Sequence, residues 1–443
     1  MDGCQKKFTC TCYTSKEEIM KKFVVLVLLL SLGLTMIWAQ GDQDQETIVI
    51  EHLTRMRAEE YGRDVFNAAA AEFEEANPGV EIKFIDVSYD DLRSQMLLKA
   101  QAGTPPNISE PVLSWIPQLA AAGILEPISN FMSDAEMAKY MQSAIDDSRI
   151  DGVPYAVPLW HGPILLYANK ELMTKAGLPL RAPEDIYEFK SWIEKIGSLG
   201  KDKTGEDIIG FSMRNVKSPN SGFWFVPWIW SWGGDLVDAE GKPSLDTQGF
   251  KDALAFYQWC TDNGYSPKGI DAPTSRIIFA QGRAGFVFDG PWLKGMLPGM
   301  TDNPDIDDMY EVFTVPNGIN GEPWTIANPT SMVVLSGSEN KDTAFDFVKY
   351  LTASNNVSAL LVEKMGVLPT FLEFADNDPS MQTKFVKEFF KQMPYSRGVP
   401  WKNESWPGLQ DILATAMSQA LAGENLNSIA AAAQQDFLDL AGE

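Results

Sequence analysis

Residues Phe223 to Gly234 read Phe-Trp-Phe-Val-Pro-Trp-Ile-Trp-Ser-Trp-Gly-Gly and place four tryptophans within nine positions. An indole is costly to leave in water and needs a partner for its N–H when buried. Such density serves a packed core, a membrane contact or a platform for a flat ligand. Two further rings stand beside polar groups: Trp292 closes the turn Asp289-Gly290-Pro291-Trp292, and Trp160 precedes His161. Aromatic faces suit flat apolar C–H surfaces, and Asp, Glu, Asn, Arg and His suit the hydroxyls that edge them, the two demands of a pyranose. Trp292 is the leading stacking candidate and Asp289 a hydroxyl acceptor beside it. Trp224 and Trp228 lie four apart and share a face if the segment is helical, whereas Trp230 and Trp232 share one only if it is extended. Trp224 and Trp228 are assigned to the ligand and Trp232 to the core, with packing the alternative for every ring.

The elements that must position these groups follow from pattern. Thr47–His52 reads as a strand that ends in the polar loop Thr54–Arg57, and a helix with Val65, Phe66, Ala69, Ala70 and Phe73 at helical spacing stops at Asn77-Pro78-Gly79. Val80–Ile85 alternates as a second strand, and the spacing predicts a helix from Tyr89 to Ala102. Strand, helix, strand, helix implies parallel strands joined by crossover helices. The alternation returns with a strand at Ile164–Tyr167, helices near 169–176, 183–196 and 247–263, and a buried strand Ala284–Phe288 that leads into the Asp289 turn. Strands at 312–315 and 331–335 follow, then helices at 342–351, 355–364, 381–392 and 409–422, with a last amphipathic helix through Ala430–Ala433.

A secretion leader begins at Met20: Lys21-Lys22, an apolar run from Phe23 to Ile37, and a cleavage point after Ala39. Residues 1–19 read as an extension from a start codon placed too early. Three of the four cysteines lie there, so Cys260 stands alone in the mature chain and no internal disulfide forms. No cysteine stands directly after the apolar run, which points to a free periplasmic protein and not a lipid-anchored one. The net charge of −24 repels nucleic acid and disfavours polyanionic ligands.

The chain resembles the extracellular sugar-binding proteins of ABC importers, the family-1 group that includes maltose-binding protein. The likeness rests on Phe73-x-x-x-Asn77-Pro78-Gly79, Ala100-x-Ala102-Gly103-Thr104-x-Pro106-Asn107 and Leu119–Pro127. It continues through Asp151-Gly152-x-Pro154-Tyr155, Leu166–Leu172, Gly233-Gly234, Ala284-Gly285-x-x-x-Asp289-Gly290-Pro291-Trp292 and Trp406-Pro407-x-Leu409. Asn107 departs from the Asp usual at its place, which softens a helix-end contact. The resemblance implies a two-lobe α/β fold of the periplasmic-binding-protein type II, with a multi-crossing hinge and an inter-lobe ligand cleft. Lobe one would hold residues 45–160 plus 329–369, and lobe two 161–328 plus 370–443. It also implies a sugar or oligosaccharide ligand, the membrane permease subunits of an ABC transporter as partners, a monomer, and no catalysis or cofactor.

Within that frame the remaining candidates are His52, Arg55 and Glu110 on lobe one, Trp160 and His161 at the first crossover, Asn328 and Ser331 at the second, and Arg397 and Trp406 at the last cleft-lining region. Solvated salt bridges are the alternative for Arg55, Glu110 and Arg397. His52 and His161 raise zinc, but no further His or Cys stands near them at ligand spacing, so hydrogen bonding or structural pairing fits better. Glu110 and Asp289 are also the pair a glycosidase would need. The chain has no Gly-x-Ser-x-Gly elbow, His-Glu-x-x-His or phosphate-cradling loop, so an enzyme remains the rival reading, as does a receptor for glycerol phosphate or a peptide.

Overall fold

Two sheets organise the chain, and the path between them sets where a ligand can sit. The computed structural model describes residues 47–58, 60–327, 329–398 and 403–442. The leader, its cleavage point and Asn328 lie outside the described residues.

The strands are β1 (Ile48–Thr54), β2 (Val80–Asp86), β3 (Ile108–Ser109), β4 (Arg149–Ile150), β5 (Val153–Pro154), β6 (Val157–His161) and β7 (Leu165–Asn169). They continue with β8 (Ile209–Ser212), β9 (Ala284–Asp289), β10 (Tyr310–Phe313), β11 (Thr325–Ile326), β12 (Thr330–Val334), β13 (Leu368–Pro369) and β14 (Ser396–Arg397). A six-stranded sheet runs β13-β6-β12-β3-β1-β2 and a four-stranded sheet β10-β7-β9-β8. β4 with β5, and β11 with β14, form two-stranded pairs. The chain leaves the first sheet after β6, builds the second, and returns at β12. This is a two-lobe mixed α/β fold.

The sheets are not the parallel arrays that simple alternation predicts. β1 and β3 are parallel, as are β8 and β9. β12 is antiparallel to both β3 and β6, and β7 to both β9 and β10. The antiparallel members are the strands beside the crossovers, where the chain passes from one sheet to the other without a covering helix. β1 also runs two residues beyond the expected end at His52.

Local chemistry explains the helices that frame the site. Ser88 caps Tyr89–Gln101 by accepting from the Asp91 amide, Asp90 and Asp91 favour its positive end, and Gly103 ends it at φ +73°. Ser218 caps the helix Pro219–Ser231, with Pro219 in its first turn where no N–H is needed. That helix carries the tryptophan cluster and is apolar on every side, so it is buried all round. The helix Trp406–Leu421 lies against it so closely that a Cβ at Gly222 would stand 2.1 Å from the Gln410 carbonyl oxygen. Backbone contact of that kind needs a glycine.

Asn107 does not soften a contact. Its side-chain oxygen accepts from the Glu51 amide (2.8 Å) and its NH2 donates to the Glu339 carbonyl (2.5 Å). An ionised Asp could make only the first of these bonds.

Candidate ligand-binding site

The two lobes meet along the ends of their strands. Pro291, in the turn after β9, packs against Gly162 at the end of β6, and its carbonyl faces Gly366 of the first lobe, which holds φ +70°. Tyr89 of lobe one acts electrostatically on Arg214 of lobe two, and Asp411 of lobe two on Arg93 of lobe one. The groups facing one another across this junction form the candidate site.

On lobe one the centre is Glu110, just past β3. It is fully buried and accepts no free hydroxyl. One carboxylate oxygen lies 2.6 Å from His52 Nε2, and the other takes the amides of Arg55 (2.7 Å) and Met56 (3.4 Å). Burial works to raise its pKa, but His52 and Arg55 outweigh burial and hold the carboxyl below its ordinary range. His52 is enclosed by Phe66, Phe84 and Phe347, which removes it from any ligand surface. The pair therefore shapes the loop after β1, and that loop presents Arg55. The Arg55 guanidinium sits 5.0 Å from the Tyr89 ring centroid and donates 2.9 Å to Thr330 Oγ1. Tyr89 leans on Trp115 (5.2 Å).

On lobe two the centre is Asp289, at the end of β9. The expectation of a free hydroxyl acceptor fails here as well. Its oxygens take Arg214 Nη2 (2.5 Å), Arg276 Nε (2.7 Å) and Nη2 (3.2 Å), and the Gly290 amide (2.8 Å). Burial would raise its pKa, and the two guanidinia more than reverse that. Arg214 is itself buried, which brings its pKa down to about 10 against the pull of Asp289. Its guanidinium lies 3.7 Å from the Trp224 ring centroid, a cation–π contact that occupies one face of that indole.

The rings separate by role. Trp228 belongs to the core: Phe189 stacks on it at 6.0 Å, and Phe211, Phe256 and Phe288 close the other sides. A ring four residues from Trp224 shares its helix face, and here that face looks into lobe two. Trp232 is buried beside Phe256 and Tyr187. Trp292 is half-buried and folds back over Gly290, where a Cβ would meet its ring at 2.3 Å. Trp160, in register with Thr330 and Pro369, is buried, as is Trp406 at the start of its helix. His161, next along β6, is buried too, and burial brings its pKa down to about 4 against an opposing effect of Asp147.

Arg397 lies elsewhere. It is sandwiched between Trp324 (3.8 Å) and Trp230 (5.2 Å), 3.3 Å from Asp235, and helps line a cavity of about 320 Å³ at the far end of the tryptophan helix. That cavity is bounded by Gly233, Gly234 and Asn320, with none of the groups around Asp289.

Several buried polar atoms around the junction have no hydrogen-bond partner among the described residues: the Nε atoms of Arg55 and Arg214, the Nε1 atoms of Trp160 and Trp406, His161 Nδ1 and Ser331 Oγ. A buried donor left unpaired costs about 1–3 kcal/mol, so such a set marks a place completed by something else. Sequence reasoning missed Arg214, Arg276 and Tyr89. The available signal was Asp289 itself, since a carboxylate closing an apolar strand requires cationic partners. No group of metal-binding side chains is found among the described residues, and no helix among them is long and apolar enough to cross a membrane.

Residues 60–356 match the model of the bacterial extracellular solute-binding protein family. The chain is 26% identical to a Brucella abortus binding protein over 376 residues, 84% of this chain and 88% of that one. It is equally identical to the maltotriose-binding protein of Pyrococcus abyssi over 358 residues, 78% of this chain and 73% of that one. The GacH receptor of Streptomyces glaucescens, solved unliganded and with acarbose, superposes with a TM-score of 0.80 at 23% identity and covers 90% of this chain and 99% of its own. At that identity the likeness is one of fold.

Proposed function

This chain belongs to the bacterial extracellular solute-binding protein family, and from that premise we propose that it captures a sugar or oligosaccharide between its lobes and delivers it to an ABC importer. The observation that carries the reading is a set of buried donor atoms with no partner among the described residues, contributed by both lobes: Arg55 Nε and Trp160 Nε1 from one, Arg214 Nε and Trp406 Nε1 from the other. A ligand that pairs them stabilises the arrangement in which the lobes face one another, which is how a hinged receptor closes. Indole and phenol rings beside those donors suit the apolar faces of a pyranose. The maltotriose-binding relative supports the same ligand class.

Binding without turnover is part of the proposal. A glycosidase needs one free carboxylate and one raised into a general acid. Here Glu110 and Asp289 are both saturated with donors and both held below the ordinary range. We place lobe one at residues 45–160 plus 329–369 and lobe two at 161–328 plus 370–443. The protein acts as a monomer outside the cytoplasmic membrane after removal of residues 20–39, and meets the permease subunits through its lobe surfaces.

A thermal-shift screen against mono- and oligosaccharides tests this, since a ligand specific to the folded state raises the melting temperature by mass action. A dose-dependent rise with one sugar, and no product after prolonged incubation, is expected; released product, or no rise with any sugar, contradicts the reading. Trp292→Ala should weaken binding of that sugar by about 1–3 kcal/mol, and unchanged affinity removes Trp292 from the site.

A further inference from the structure

We propose that the turn at 290–296, which carries Trp292, is the fixed pivot on which the lobes close and sets the place of that ring. The inference rests on the reading of the chain as a hinged sugar receptor and names the element its closure turns about.

Contact is the first reason. The turn begins bound to lobe two, where the Gly290 amide donates to Asp289 (2.8 Å) and the Tyr167 hydroxyl donates to the Gly290 carbonyl (2.8 Å). Its helical part, Leu293–Met296, lies backbone to backbone on lobe one. A Cβ at Gly295 would overlap the Lys364 carbonyl oxygen and stand 2.9 Å from Met365 Cα. A Cβ at Gly366 would stand 2.8 Å from the Pro291 carbonyl oxygen, and one at Gly162 2.5 Å from Pro291 Cγ. Contacts this close leave no room for a side chain or a water between them, so the turn is seated directly on lobe one.

Position is the second. Gly162 follows β6 where the chain first crosses between the sheets, and Gly366 stands just before β13, whose Leu368 and Pro369 pair with His161 and Trp160 of β6. The chain cannot lengthen at such a crossing, so the lobes stay together there and part where side chains alone meet. Tyr89 with Arg214, and Arg93 with Asp411, are meetings of that second kind, made by long side chains from opposite lobes. The segment that faces the turn, Leu361–Met365, is π-helical, an irregularity frequent at functional sites. Trp292 thus stands beside lobe one in the open and closed forms alike, and the sugar meets a ring already in place.

A disulfide lock across this seam tests the pivot. A Cβ at Gly366 would lie 3.1 Å from Lys294 Cβ, close to the separation a disulfide spans. The full chain carries Lys294→Cys and Gly366→Cys with Cys4→Ser, Cys10→Ser and Cys12→Ser, and Cys260 is buried. It is compared oxidised and reduced, so both forms share any strain of the substitutions. Oxidation should leave the radius of gyration of the free protein unchanged. Association and dissociation rates of the best-binding sugar should stay within about threefold of the reduced form. A smaller radius on oxidation, or sugar entry slowed about tenfold or more, overturns the pivot. If no sugar binds, the sugar reading falls, while the radius comparison still decides the pivot. Should the variant not fold, hydrogen exchange of the unaltered protein decides instead. With sugar, amides 89–93 should gain protection at least about tenfold and amides 361–367 less than about twofold; equal gains overturn the proposal.

Discussion

The two lobes each bury a carboxylate just past the end of a strand, and they satisfy it in opposite ways. Glu110 is held by the His52 imidazole and by two backbone amides, those of Arg55 and Met56. Asp289 is held by two guanidinia, one of them fully enclosed. The first carboxylate shapes a loop, while the second anchors two cations at the candidate site. Two acidic residues that look equivalent in a candidate list therefore differ in what depends on them.

The sharpest way to break this contrast is to neutralise both. Asp289→Asn takes the carboxylate away from the buried Arg214 guanidinium and should cost about 3–5 kcal/mol in urea unfolding. A loss no larger than that of the matching Glu110 variant would dissolve the distinction.

Acid titration sharpens the same contrast at the crossover. His161 takes a proton near pH 6.5 when unfolded and only near 4 when folded, so the unfolded chain binds protons first as the pH drops. Stability should fall between those values by an amount on the order of 3 kcal/mol. The two carboxylates, held low in the fold, contribute stability above the ordinary carboxylate range and lose it as the pH falls through their lowered values, so their loss comes at lower pH than that of His161. His161→Gln should flatten the upper part of the profile; an unchanged profile would show that some other group titrates there.

Glu110→Gln keeps an acceptor but loses the charge, at a cost of about 1–3 kcal/mol, and it should reduce affinity only through the Arg55 loop. A total loss of binding would place Glu110 in contact with the ligand. Smallest of all, Arg397→Ala removes a half-exposed ion pair worth about 0–1 kcal/mol and should leave sugar affinity unchanged. A clear loss of affinity would return the outer cavity to the binding site.

Sequence reasoning served best where local chemistry decides the structure. The helix after β2 was legible because Ser88 caps it and Gly103 ends it, and the strand into the Asp289 turn because Phe286, Val287 and Phe288 are uniformly apolar. The tryptophan helix was harder to place. With apolar residues on all sides it has no polar face to show which way its rings point, and Trp228 turned out to face Phe189 and Phe256. Arg214 and Arg276 stayed hidden for a different reason. A lone arginine between elements reads as surface, and only the pairing with Asp289, 75 and 13 residues away, gives these two their role. Arg397 shows the converse, since it lies near Trp406 in sequence while its side chain packs against Trp230 and Trp324.

The most direct test is a crystal structure of the protein with the sugar that gives the largest thermal shift. The sugar should lie between the lobes, touching Arg55 or Tyr89 on one side and Arg214 or Trp292 on the other. A sugar seated in the outer cavity beside Trp324 and Arg397, or on a single lobe with Arg214 untouched, would contradict the account.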